Sequence, residues 1–227
     1  MIHVADRAFK NCYNLESITN STSVISTGKE AFYGCSSLTD FRFSDELESI
    51  GVKSFYGCSS LTSILVPEGT KSIGKGAFHE CNGLTSVTVP YAGTSAQTCV
   101  NESIESIVKP SSVYFQSVSV TLNSSAPVGR KAFKNVGWIK SIDLSDKITD
   151  VNSKAFSGMT KLESIKLSAA ITEISGDMFQ GANSLKSITG ISGVKTIGSR
   201  AFYGCQSLQH IDLSGVNVIG LRHSVIA

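Results

Sequence analysis

The stretch Ala77-Phe78-His79-Glu80-Cys81-Asn82-Gly83-Leu84-Thr85-Ser86-Val87-Thr88-Val89-Pro90 decides the fold, because most of the chain consists of copies of it. Ala-Phe-Tyr-Gly-Cys-Ser-Ser-Leu-Thr occupies 31–39, its close relative fills 55–64, and Ala-Phe-Tyr-Gly-Cys-Gln-Ser-Leu fills 201–208. Phenylalanines fall at Phe9, Phe32, Phe55 and Phe78, then at Phe133, Phe156, Phe179 and Phe202, with a step of 23 within each group. A fixed period of this size is the signature of a solenoid, in which each unit buries its apolar face only against its neighbours.

Each period divides into three parts. A Phe turn comes first, with Gly two residues after Phe at Gly34, Gly57, Gly158, Gly181 and Gly204. Glycine accepts the positive φ that reverses the backbone there. A strand of pattern Leu-x-Ser-Ile-x-Leu follows, as at 61–66, 84–89, 139–144, 162–167 and 208–213, with weaker versions at 15–20, 38–43 and 185–190. Alternation points Ile64 and Val66 inward and Ser63 and Leu65 outward. A shorter extended piece ends in Ile-Gly, at Ile50-Gly51, Ile73-Gly74 and Ile197-Gly198, preceded by an apolar residue such as Leu47, Ile171 or Val194. The expected cross-section is two β-walls closed by a Phe turn. The fold class expected is a β-rich repeat solenoid of 23-residue coils with parallel strands on the walls and short helical or 3₁₀ Phe turns.

The pattern Ala-Phe-x-Gly-Cys-Ser-Ser-Leu-Thr-Ser-Ile-x-Val-Pro, followed by Ser-Ile-Gly, resembles the BspA-like class of leucine-rich repeat. The likeness covers 1–90 and 118–220. It implies a right-handed superhelix forming part of a larger surface-displayed protein of bacteria or protist parasites. It also implies an adhesive or protein-binding role, cell-surface or secreted localisation, and no shared catalytic residues to carry over.

Composition narrows the function. A net charge of +2, with 17% charged residues and no basic stripe, argues against a nucleic-acid partner. No run of apolar residues is long enough for a membrane span. Cys12, Cys35, Cys58, Cys81 and Cys205 each stand three residues after a Phe, where other copies hold Val136, Met159 and Ala182. Such a slot is small, buried and apolar, and suits a reduced thiol better than a disulfide or a metal. His3, His79, His210 and His223 are far apart in sequence, with His79 expected on an exposed turn. No nucleophile elbow or phosphate loop occurs. The chain reads as non-enzymatic, with no cofactor.

Two places depart from the repeat. Residues 91–117 lack a Phe turn; the pieces 102–110 and 112–118 read as β, joined by a turn at 109–111 into a hairpin or a distorted coil. This insert is either a binding projection or a tolerated irregularity. At the other end Ser224 stands roughly where a Phe would come, and no polar capping coil follows. The chain therefore reads as one solenoid, 1–227, belonging to a longer protein, with self-association through uncapped ends as an expectation.

The candidate partner-binding residues lie on the outward strand face. Arg42, Leu65, Asp143, Lys166 and Asp212 belong to the varied centre column, and His210 belongs to the otherwise Ser-rich column beside it. Tyr114 in the insert and Trp138, the only Trp, complete the set. Trp138 is either an interface anchor or a cover over apolar surface left by the irregular coil. The expected function is a non-enzymatic module binding a host or matrix protein or a glycan. The rival is a rigid spacer presenting another domain.

Overall fold

The computed structural model describes residues 1–93, 95–98, 101–110 and 118–220, and these form a β-solenoid of about 9 coils with parallel strands and almost no helix. The first wall is a six-stranded parallel sheet. Its strands are β4 (Ser63–Leu65), β6 (Ser86–Val89), β7 (Val118–Leu122), β8 (Ile139–Leu144), β9 (Ser164–Lys166) and β11 (Ser187–Thr189), in the order β11-β9-β8-β7-β6-β4. The opposite wall is split. β1 (Ile2–Val4), β2 (Val24–Thr27), β3 (Ser49–Ile50) and β5 (Ser72–Ile73) form one sheet; β10 (Glu173–Ile174), β12 (Thr196–Ile197) and β13 (Val218–Ile219) form another. Among the described residues, an isolated bridge, Val128 to Val151, lies between them.

Register is set by identity. Ser63 pairs with Ser86 and Ile64 with Val87; Ser141 pairs with Ser164 and Ile142 with Ile165. A slip of one residue would turn every buried Ile and Val to solvent, so the alternation fixes the pairing. The inner residues Ile64, Val87, Val120, Ile142 and Ile165 are all buried.

The phenylalanines build the spine between the walls. Rings stack from Phe9 through Phe32 and Phe55 to Phe78 at 5.0–5.4 Å, and again from Phe133 to Phe202 at 5.3–5.5 Å. The Phe turns are chains of i→i+3 turns, as where the Cys35 and Cys58 N–H groups donate to Phe32 and Phe55. They are not 3₁₀ helices: the described 3₁₀ segments lie elsewhere, at Ser21–Ser23 and Ile104–Ser106. Gly34, Gly57, Gly158, Gly181 and Gly204 take φ of 72–80°, as their place after Phe predicts. The glycine of Ile-Gly serves a different end. A Cβ at Gly51 would collide with the Gly28 carbonyl, and one at Gly74 with the backbone of Gly51 and Val52.

Three expectations need correction. Segments 15–20, 38–43 and 208–213 are not strands. At 38–43 the inward side chains are Phe41 and Phe43, which wedge against Phe32 and Phe55 with tilted or edge-on rings. These rings pack into the Phe spine, and the segment makes no ladder. At 208–213, β11 is the last strand of the first wall, so no described ladder extends to it.

Residues 102–110 are not a β-strand either. Ser103 accepts the Glu105 N–H on its hydroxyl and caps the 3₁₀ turn at Ile104–Ser106. The Phe turn, expected to be missing, is kept in backbone. Phe78 N–H donates to Ile107 O at 2.9 Å and Glu80 N–H to Lys109 O at 2.9 Å. These repeat the bonds from Phe55 to Ala77 and from Gly57 to His79 one coil earlier. Val108 therefore holds the Phe place, with Ile104 and Ile107 buried beside it. The insert is a distorted coil over 101–110, not a hairpin arm there. The strand reading at 112–118 falls largely, and the C-terminal departure at 221–227 wholly, outside the described residues.

His79 is the third correction. It is half-buried, with Nε2 2.8 Å from the Glu105 carbonyl oxygen, because the distorted coil folds over it.

Candidate binding face

The outward side of the first wall carries two columns. Ser63, Ser86, Ser119, Ser141, Ser164 and Ser187 stand in register across all six strands. Beside them run Leu65, Thr88, Thr121, Asp143, Lys166 and Thr189, each paired with the next. From β7 to β11 this surface forms a shallow groove of about 260 Å³. Small hydroxyls make its floor, and the charges sit at one edge. Lys166 Nζ lies 3.3 Å from Asp143 Oδ1, with both side chains 49% exposed. An exposed pair of this kind stabilises by less than about 1 kcal/mol and stays free to exchange for a partner's charges.

Of the residues expected at a site, Leu65, Asp143 and Lys166 are brought together in this row. Leu65 is 61% exposed, an apolar side chain held out from a Ser and Thr surface. Thr121 and Ser119 complete the columns and were missed as members. The Val120-Thr121-Leu122 alternation was the available signal, hidden because β7 follows the one irregular interval.

The others lie apart. Arg42 is exposed beside Asp40, at 3.4 Å, on a segment that is not a strand. His210 and Asp212 are exposed past the last strand of the wall. Asp212 accepts the Ser214 N–H at 2.9 Å, which holds its carboxyl below the ordinary range and marks it as a turn residue. Trp138 is half-buried and faces a small apolar gap with Phe78, Leu84, Val108, Pro110 and Val118. It covers the space that Val108 leaves unfilled. Tyr114 lies outside the described residues.

The interior thiols are free and engaged. Cys35, Cys58, Cys81 and Cys205 donate Sγ–H to the carbonyls of Phe9, Phe32, Phe55 and Phe179 at 3.0–3.2 Å. Burial pushes the Cys35 thiol up to about 11 and Cys81 up to about 12. Among the described residues, no three His, Cys, Asp or Glu side chains are grouped to hold a metal ion. His3 Nδ1 lies 2.7 Å from the Ser26 hydroxyl at an exposed position, and His79 meets a backbone carbonyl. Among the described residues, no helix is long and apolar enough to cross a membrane.

Comparison with known proteins agrees with this architecture. The family model for the BspA type leucine-rich repeat region matches residues 2–126 and 126–223, in 6 copies. A leucine-rich repeat protein of T. pallidum is similar at 20% identity, over 92% of this chain and 72% of that one, with a TM-score of 0.39. One from Bacteroides ovatus is similar at 18% identity, over 96% and 78%, with a TM-score of 0.36. A leucine-rich cell surface protein of Faecalibacterium prausnitzii is similar at 18% identity, over 98% and 83%, with a TM-score of 0.29. No curated protein matches.

Proposed function

The chain belongs to the BspA-type leucine-rich repeat family, and from that premise we propose that it is a non-enzymatic binding module of a surface-displayed or secreted protein. The partner is a host or matrix protein or glycan, met through the outward face of the six-stranded wall. The observation that carries this reading is the pair of columns on that face, whose β7 to β11 part is the groove. A floor of six aligned serines lets a partner approach closely, and the neighbouring column varies from Leu65 to Lys166 within a wall otherwise built by repetition. Variation confined to one outward column has no role in packing, since the paired inner residues carry the core. The hydroxyls accept and donate hydrogen bonds, Asp143 and Lys166 give direction, and Leu65 supplies apolar contact.

A second reading has its own observation. The stacked phenylalanines and the continuous ladder of the first wall make a stiff rod, which suits a spacer holding another domain away from a surface.

One experiment separates them. The chain is screened against immobilised matrix proteins and cell-surface glycoproteins at physiological salt, beside Leu65→Asp and the charge reversals Asp143→Lys and Lys166→Asp. Saturable binding weakened by the column variants, with the double reversal recovering part of it, supports the module. Absence of binding from folded protein across the panel favours the spacer.

A further inference from the structure

The groove is not the only concavity. On the turn side of the C-terminal half a wider cleft of about 750 Å³ opens over four successive coils, those of Phe133, Phe156, Phe179 and Phe202. Its floor is made by Ser153, Gly176 and Ser199, which occupy the same place in their coils. In the N-terminal half that place holds Asp6, Lys29, Val52 and Lys75, and in the C-terminal half Arg130 holds it one coil before Ser153. The rim carries Arg130, Lys154 and Arg200 around a single acid, Asp177. Asp177 receives Arg200 through Nε at 2.9 Å and Nη2 at 3.0 Å, and Lys154 Nζ lies 3.6 Å away. Arg130 has no ion pair among the described residues and its side chain is exposed. Three cations against one carboxylate leave the cleft positive in a chain whose whole net charge is +2.

We propose that this cleft is a second binding site, separate from the strand face, for an acidic oligosaccharide carrying sulfate or carboxylate groups. Arg130 gives the free fork for one anionic group. Lys154 meets a second, one coil further along, and the outer edge of Arg200, two coils beyond that, borders the far end. Ser153 and Ser199 offer hydroxyls to sugar hydroxyls, and Gly176 keeps the floor low. The lining contains no aromatic ring, so nothing stacks on a base. It has no apolar pocket for a peptide side chain either. Both facts favour a glycan over a nucleic acid or a phosphopeptide.

The test is titration calorimetry of the full chain at 50 and 150 mM salt with four probes: a sulfated heparin octasaccharide, an oligogalacturonate, a neutral dextran oligosaccharide and dT8. Arg130→Ala and Arg130→Ala/Lys154→Ala are compared with Lys53→Ala/Lys75→Ala, which removes two cations from the same side of the N-terminal half. Circular dichroism and melting temperature confirm that each variant folds. The expected result is salt-dependent binding of the sulfated or the carboxylated probe, the preferred arm naming the group, and none of dextran. Arg130→Ala should weaken it about tenfold or more, the double variant further, and the N-terminal pair little. Absence of binding to both acidic probes, equal loss in the N-terminal pair, or tighter binding of dT8 overturns the proposal.

Discussion

The Cys58 thiol donates to the carbonyl oxygen of Phe32 at 3.2 Å, one coil back, and burial pushes its pKa well above the ordinary thiol range. The slot is thus more than a small apolar hole: it closes a hydrogen bond between neighbouring Phe turns. Cys58→Val keeps the slot apolar, as Val136 does in its own coil, and removes the donor. It should cost about 1 kcal/mol in urea unfolding. In the native protein at pH 7.5 iodoacetamide should label exposed Cys12 first. Cys35, Cys58 and Cys81, buried and held as neutral thiols, should react only on unfolding, which peptide mass spectrometry resolves.

Gly51 and Gly69 are expected to differ in sign. At Gly51 an added Cβ meets the backbone carbonyl of Gly28 in the adjoining coil, which cannot yield without parting the ladder. At Gly69 the same atom meets nothing within 4 Å. Gly51→Ala should cost roughly 1–3 kcal/mol. Gly69→Ala should be neutral or stabilise by about 0.4–1 kcal/mol through the unfolded chain. Midpoints of chemical denaturation measure both.

Glu30 is held by Lys10 Nζ at 2.8 Å and Arg7 Nε at 2.9 Å, and these two cations depress its carboxyl to about 2. Its folded pKa lies below the unfolded one, so its stabilising effect is present above the ordinary Glu range and is lost as pH falls toward 2. Glu30→Gln should lower the melting temperature at pH 7, with the difference shrinking below about pH 4. High salt should narrow it as well.

His79 runs the other way. Burial lowers its pKa despite the Glu105 carbonyl at Nε2. The unfolded chain then binds the proton more readily than the folded one. The stability this neutral ring contributes is present above about pH 6.5 and declines as pH falls from there toward the lowered folded value. Melting curves from pH 7.5 to 5 should show the wild type losing ground relative to His79→Gln. Parallel curves for the two would refute a coupling between this ring and the distorted coil.

How much of this was legible beforehand differs from one element to the next. The Phe spine, the Ile-Gly wall and the Ser column were readable because a period forces like residues into contact: Ser141 must meet Ser164 once both stand on parallel strands 23 apart. Where identity fails, so does the reading. Val108 carries no trace of a Phe turn in its own letters. Its role is visible only through the bonds that Phe78 and Glu80 make to Ile107 and Lys109. Segment 38–43 has the alternation of a strand, yet Phe41 and Phe43 turn into the spine against Phe32 and Phe55 and the segment forms no ladder. The basic cleft escaped because it comes from what three small residues leave open, and a pattern search looks for side chains that are present.

The substitution of Val108 for a phenylalanine also bears on how the molecule comes apart. In a linear array, cooperativity is transmitted only between adjacent units. On either side of Val108 four rings are stacked without interruption; across it, among the described residues, the aromatic column stops and the second wall is parted, while the first wall and the backbone bonds of the Phe turn carry on. That junction lacks the ring contact that joins the other coils. Denaturation therefore has a natural boundary there, with the N-terminal and C-terminal quartets melting as two blocks and the first wall passing only part of the news from one to the other.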